Sequence, residues 1–314
     1  LSPPWRLITL ILVIALTTGL IVMIVLFAGS QKRIRHLKHE KFQLLSQVSS
    51  LTTGKSPDSV RDEQSLYRRD FVSHKDGNRD SYVLSPPLVP PPDGKYVLVV
   101  YLHGMGSNYL EPYFVPDKEP IAPRLREAFP GIVLASLSYG KDSSWTNHKA
   151  IADINQNISE LTCAYPVDSI VMMGTSMGGC AAVYYSAVAP EPIRRRIRGV
   201  VSIEGAGDLA GLFRSTGSTV VKFGISGAMG GTPEAVPDIY RQASFLSHLA
   251  ELPQSTRFAI VSARQDTTVP PALQKELKER IEEHGNPVSY VELDAGHEMP
   301  PPGVYVDALR FVLQ

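Results

Sequence analysis

The chain has 314 residues, enough for one large domain with a substantial core plus an appendage. Its 31 basic side chains balance 31 acidic ones, so no global charge points to a nucleic-acid partner, and none is expected. Two cysteines, Cys163 and Cys180, supply neither a disulfide framework nor a metal site, and no metal or other cofactor is expected.

The first stretch with a clear character is Leu7 to Ala28, "LITLILVIALTTGLIVMIVLFA", which carries no charge. Its length suits a single helix across the hydrocarbon layer better than a signal-peptide core of about 7–15 residues. Residues 1–30 are therefore expected as a transmembrane anchor and the protein as a single-pass membrane protein, with the membrane as a partner through 7–28. Arg6 precedes the run, whereas Lys32, Arg33, Arg35, Lys38 and Lys41 follow it. The positive-inside rule then favours a cytoplasmic domain, or its organellar equivalent.

Beyond it, Ile34, Leu37, Lys41, Leu44, Val48 and Leu51 alternate at spacings of three and four, a short heptad-like seam. Residues 34–51 are expected either to engage a partner subunit or to lie as an amphipathic stalk. Residues 52–68 read as polar linker, so the stalk and linker together span 31–68 and the large domain 69–314.

From residue 69 onward the pattern changes. Two extended halves flank Asp76-Gly77-Asn78, a hairpin signal. Apolar strand-like runs then recur at 96–104, 131–140, 169–174, 199–207, 257–266 and 288–296. Helix-like stretches fall at 148–162, 177–189, 271–284 and 303–313. A leading hairpin followed by strand–helix alternation predicts an α/β fold with a mostly parallel sheet and helices on both faces. In such sheets the working groups collect at the carboxyl ends of the strands.

Gly174-Thr175-Ser176-Met177-Gly178 sits at one such end, between the run 169–174 and a small-residue helix. This is the pattern of a nucleophile elbow, in which glycines on either side make room for a sharp turn that exposes the serine. A serine hydroxyl needs a base to remove its proton. "ELDAGHEMPP" supplies His297 after the last strand, and "VSARQDTTVPP" supplies Asp266 at the end of the strand before it. The order serine, acid, histidine fits the elbow template. Acyl transfer also needs two backbone N–H groups for the oxyanion. Met177 follows the nucleophile, and Met105 lies in the loop "LHGMGSN" after the strand at 96–102.

The motifs "LHGMGS", "GTSMGG", "SARQDTTVP" and "DAGH" resemble those of α/β-hydrolases over approximately residues 69–314. They are similar to the esterase, thioesterase and prolyl-oligopeptidase-like branches, and less like lipases with a His-Gly-Gly-Gly loop. The resemblance implies a Ser176–His297–Asp266 triad working through an acyl-enzyme. The implied activity is a membrane-anchored serine hydrolase acting on a small or lipid-like carboxylic ester or thioester. An anchored serine peptidase and an accessory subunit that has kept a hydrolase fold are the rival readings. Glu204 and Asp208 follow the strand after the nucleophile helix, where some hydrolases place their acid, but the turn at Asp266 matches better.

Other residues invite weaker readings. His103 is expected to shape the oxyanion loop, and His148 near Trp145 to start a solvated helix. The glycine-rich segment 207–256 stands where hydrolases insert a cap, and it reads equally well as a packed helical excursion. "PIRRRIRG" at 192–199 reads as a solvated basic turn, and Asn157-Ile158-Ser159 is a formal glycosylation sequon.

Overall fold

The computed structural model describes residues 66–115, 117–141 and 143–314. The expected anchor at 7–28 and seam at 34–51 lie outside these residues. The single-pass membrane location expected from the sequence is corrected: among the described residues no helix is long and apolar enough to cross a membrane. The first strand begins at Tyr67, two residues before the expected start of the large domain at 69.

That strand, β1 (Tyr67–Val72), pairs antiparallel with β2 (Arg79–Ser85) around a turn at Asp76-Gly77-Asn78. Gly77 takes a φ of 71°, and Asp76 Oδ1 accepts from the Asn78 N–H at 3.1 Å, so the residue types of the turn explain its closure. There follow β3 (Tyr96–Leu102), α1 (Ile121–Ala128), β4 (Ile132–Leu137), α2 (His148–Ala164), β5 (Val167–Thr175), α3 (Met177–Val188), the single turn α4 (Glu191–Arg194) and β6 (Ile197–Ile203). The chain continues through α5 (Leu209–Ser215), α6 (Thr219–Met229), α7 (Pro237–Ala243) and a 3₁₀ segment at Phe245–Glu251. It closes with β7 (Arg257–Ala263), α8 (Pro271–Glu283), β8 (Val288–Leu293) and α9 (Pro302–Val312).

The strands form one eight-stranded sheet in the order β1-β2-β4-β3-β5-β6-β7-β8. β2 pairs antiparallel with β4, and every pairing from β4 through β8 is parallel. Period-two alternation divides the sheet's side chains between two cores. Leu98, Val100 and Leu102 of β3 join α2, α3 and α8 in one, through Ile154, Ile158, Val183 and Leu277. Val99 and Tyr101 join the other, with Ile121 and Leu125 of α1 and Tyr305 and Leu309 of α9. Each such aliphatic side chain contributes roughly 1.5–3 kcal/mol when fully buried. This explains why the parallel strands read as mostly apolar runs.

α1 was not foreseen. Its eight residues include Pro123, Arg124 and Arg126, and its buried face is carried by only Ile121, Ala122, Leu125 and Arg126. The segment 207–256 is helical: α5, α6 and α7 come between β6 and β7 in chain order, with Leu209, Leu212, Val221, Ile225 and Tyr240 turned into the core. The basic turn after α3 has a structural role. Arg194 donates to the Ala187 and Ala189 carbonyls at 3.2 and 3.4 Å, capping the end of that helix. Asn157 is fully buried in the middle of α2, where its Nδ2 donates to the Asp153 carbonyl at 2.9 Å, so the sequon is closed to a glycan.

Candidate active site

Ser176 is the first residue beyond β5 and the N-cap of α3, with φ 56° and ψ −116°. A non-glycine residue in such a region costs on the order of 1–3 kcal/mol and persists only where its surroundings hold it. Here the Ser176 N–H donates to Ile203 of β6 at 2.8 Å, and its carbonyl accepts from Cys180 at 3.0 Å. A side chain on Gly174 would overlap the backbone of Gly178, so strand and helix meet too closely for any residue but glycine there. The tight turn lifts the hydroxyl to the sheet's carboxyl edge.

His297 follows β8, and its Nε2 lies 2.9 Å from Ser176 Oγ. Its Nδ1 lies 2.8 Å from Asp266 Oδ2. Asp266 stands in the turn after β7, almost fully buried. Its Oδ1 accepts from the N–H groups of Thr268 and Val269, both at 2.8 Å, and Gln274 Nε2 donates to Oδ2 at 3.2 Å. With Nδ1–H donating to Asp266, Nε2 is left as an acceptor facing the serine hydroxyl. Burial works against the imidazolium, but the hydrogen bonds and negative charges of Asp266 and Glu204 outweigh it and raise the His297 pKa to about 9.

The two amides expected to face an oxyanion stand in α3 and in the loop after β3. Met177 opens α3 and is fully buried, and Met105 follows Gly104 in that loop. Among the described residues neither the Met105 nor the Met177 amide is paired with a backbone carbonyl. Gly104 lies against the nucleophile turn, where an added Cβ would stand 3.5 Å from the Thr175 carbonyl and 3.9 Å from Ser176 Cβ. Its N–H is held by both oxygens of Glu111, at 3.1 and 3.0 Å. Tyr101 donates to the same carboxylate at 2.9 Å and meets Thr175 Oγ1 at 3.2 Å, tying the loop to the end of β5. Burial raises the Glu111 pKa above the usual carboxylate range.

Thus Ser176, Asp266 and His297 come together, with Met105 and Met177 in the two segments beside them. Asp208 does not join them: its carboxylate caps α5, accepting from Ala210 and Gly211 at 2.9 and 3.0 Å. His103 is buried, with Nδ1 2.8 Å from the Gly104 carbonyl and its own carbonyl accepting from Tyr139 at 2.7 Å, so it shapes the loop. His148 is exposed at the start of α2, and Trp145 is fully buried. Cys180 lies one turn into α3, where burial pushes its thiol pKa up to about 11 and so away from reactivity.

Two further acidic residues stand out: Glu111, which the sequence did not single out, and Glu204, which it offered only as an alternative to Asp266. Glu111 had no signal, since nothing in "SNYLEPY" marks a residue that reaches back to Gly104. Glu204 had one: it follows β6 directly, at the same edge of the sheet, and its Oε2 lies 3.1 Å from His297 Nδ1. Glu204, Asp266 and His297 offer ligand atoms within 4.8 Å of one another. Nδ1 already donates to Asp266 and Nε2 already faces Ser176, so both ring nitrogens are engaged within a serine–histidine–carboxylate chain of hydrogen bonds.

Fold and site together define a class: an α/β protein with a serine, a histidine and a carboxylate aligned at the carboxyl ends of a mainly parallel sheet. The chain belongs to the alpha/beta hydrolase family, whose model matches residues 99–308. No curated protein matches the chain. Among solved structures it is similar to a puromycin hydrolase, at TM-score 0.64 and 19% identity over 81% of this chain and 39% of that one. An acylaminoacyl peptidase from Pyrococcus horikoshii gives TM-score 0.61 and 13% identity over 80% of this chain and 41% of the other. FphF, a fluorophosphonate-binding serine hydrolase of Staphylococcus aureus, gives TM-score 0.59 and 13% identity over 80% of this chain and 97% of its own. The chain thus spans about two fifths of the puromycin hydrolase and of the acylaminoacyl peptidase.

Proposed function

We propose that this protein is a serine hydrolase that cleaves a carboxylic ester or thioester through an acyl-enzyme. The observation that carries the reading is the unbroken relay from Ser176 Oγ through His297 to Asp266, with contacts of 2.9 and 2.8 Å. As Ser176 Oγ attacks the acyl carbon, its proton passes to His297 Nε2, and the carbonyl oxygen becomes an oxyanion facing the Met105 and Met177 amides. Collapse breaks the bond to the leaving group, which takes the proton from Nε2 as it departs as an alcohol or thiol. A water then gives its proton to Nε2 and attacks the acyl-serine, releasing the acid and restoring the hydroxyl. Throughout, Asp266 holds Nδ1–H and stabilises the imidazolium without taking its proton.

A second reading, hydrolysis of an aminoacyl amide or peptide bond, draws on the similarity to a puromycin hydrolase and an acylaminoacyl peptidase. Both readings use the same relay and differ in the leaving group that His297 must protonate. A panel of p-nitrophenyl esters, acyl thioesters and aminoacyl anilides separates them by kcat/KM. Esters or thioesters turned over at least 100-fold faster than matched anilides support the first reading, and the reverse order supports the second.

A further inference from the structure

His297 Nδ1 faces two carboxylates, and they come from different strands. Asp266 Oδ2 is 2.8 Å away and Glu204 Oε2 is 3.1 Å away. Asp266 is saturated with donors: Thr268, Val269, Gln274 and the imidazole itself. Glu204 is the opposite. It is 1% exposed, and the donors that act on its carboxylate are the His297 ring and the Glu298 backbone N–H, neither in the good hydrogen-bond geometry that Asp266 enjoys. A buried carboxylate left in that state costs several kcal/mol that packing alone does not return.

The backbone also commits Glu204 to this position. Its φ is 52°, in the left-handed region, and its N–H is fastened to the Val261 carbonyl of β7 at 2.8 Å. Strain of this kind at a residue touching the reacting histidine is an expense a merely space-filling side chain does not explain.

We propose that Glu204 is a second acid of the relay, a positioning residue that flanks the Nδ1–H of His297 and aligns the imidazole when Asp266 is missing. The proposal rests on the serine hydrolase reading above. When the Ser176 proton reaches Nε2, the ring becomes an imidazolium, and a negative oxygen 3.1 Å from Nδ1 stabilises it without accepting a proton. Burial raises the Glu204 pKa and the charge of His297 opposes that rise, so this carboxylate gains most when the imidazole is charged. The titratable groups that act on it are His297 after β8, Asp266 after β7 and the Tyr305 phenol of α9.

The test uses the full chain, p-nitrophenyl acetate as probe, and Glu204→Gln, Asp266→Ala and the double variant, with Ser176→Ala as the blank. Loss of a triad acid that nothing replaces costs about 10⁴-fold in kcat. With Glu204 in reserve, Asp266→Ala loses about 100-fold, Glu204→Gln about 10-fold, and the double variant about 10⁴-fold. The acidic limb of kcat/KM moves to lower pH in Glu204→Gln, because a neighbour favouring the imidazolium is gone. Glu204→Gln is nearly isosteric, so this limb is readable even if Asp266→Ala does not fold. Asp266→Ala as slow as the double variant, or a Glu204→Gln limb coincident with that of wild type, overturns the role of Glu204 alone. Wild-type turnover no greater than that of Ser176→Ala overturns the hydrolase reading and this role with it.

Discussion

Gly178 of α3 sits directly against the Leu102 carbonyl at the end of β3, with no room between them for a methyl group. The contact joins the nucleophile helix to the strand that launches the oxyanion loop. A Cβ there would also lie 2.8 Å from the His103 carbonyl. Gly178→Ala must therefore push the elbow and the loop apart. Overpacking a tight contact costs about 1–3 kcal/mol. Urea denaturation is expected to show a loss of at least that size, together with a fall in kcat.

Glu111 holds the loop from the other side. Replacing it with Ala leaves the Gly104 N–H without its acceptor and the Tyr101 hydroxyl with Thr175 Oγ1 as its remaining partner. A buried donor so stranded costs about 1–3 kcal/mol. The loop carrying Met105 loses its anchor, so Glu111→Ala is expected to lower kcat about 10–100-fold, a range typical of weakened oxyanion stabilisation, while KM changes little. Steady-state kinetics on one ester decide it, and a rise in KM at constant kcat would refute the assignment.

Asp208 provides the contrast. It lies four residues beyond Glu204 and reads in sequence as an alternative acid, yet it caps α5 through Ala210 and Gly211. Asp208→Ala is expected to cost about 1 kcal/mol of stability, as N-cap losses do. Its ester hydrolysis at saturating substrate is expected to stay within about twofold of wild type, since a cap lost away from the relay leaves the barrier unchanged. Thermal unfolding and kcat measured on the same preparation separate the two effects.

The sheet and the relay were legible because they rest on local rules. Mostly apolar runs mark the parallel strands from Tyr96 to Leu293, and glycines at 174 and 178 mark the elbow that presents Ser176 beside the later Asp266 and His297. What was not legible depends on distant packing. α1 carries a proline and two arginines, and only the sheet beneath it shows which of its faces is buried. Glu111 reaches Gly104 through a loop whose path no periodicity encodes. Glu204 could be placed at the edge of the sheet from sequence, but not its approach to a nitrogen already bound by Asp266. The inference of a membrane location rested on the length of one charge-free run, and among the described residues no helix supports it.

The elevated His297 pKa sets a pH dependence whose sign can be worked out. Catalysis needs the neutral ring, and its carboxylate neighbours raise the pKa from the usual 6.5 to about 9. Ester hydrolysis is therefore expected to rise with pH along an acidic limb whose midpoint lies above 6.5. Stability runs the other way. A pKa raised on folding contributes fully below the unfolded value of 6.5 and is lost as pH rises through about 9. Urea midpoints are expected to fall across that window in wild type and to fall less in His297→Gln.

The central claim is that Ser176 is a nucleophile activated by His297. Its most direct test is intact-mass analysis after incubation with a fluorophosphonate, which bonds to the oxygen of an activated serine. Wild type is expected to gain the mass of one phosphonyl group, and Ser176→Ala to gain none. A wild-type protein that stays unmodified, or a Ser176→Ala variant that reacts to the same extent, would contradict the account.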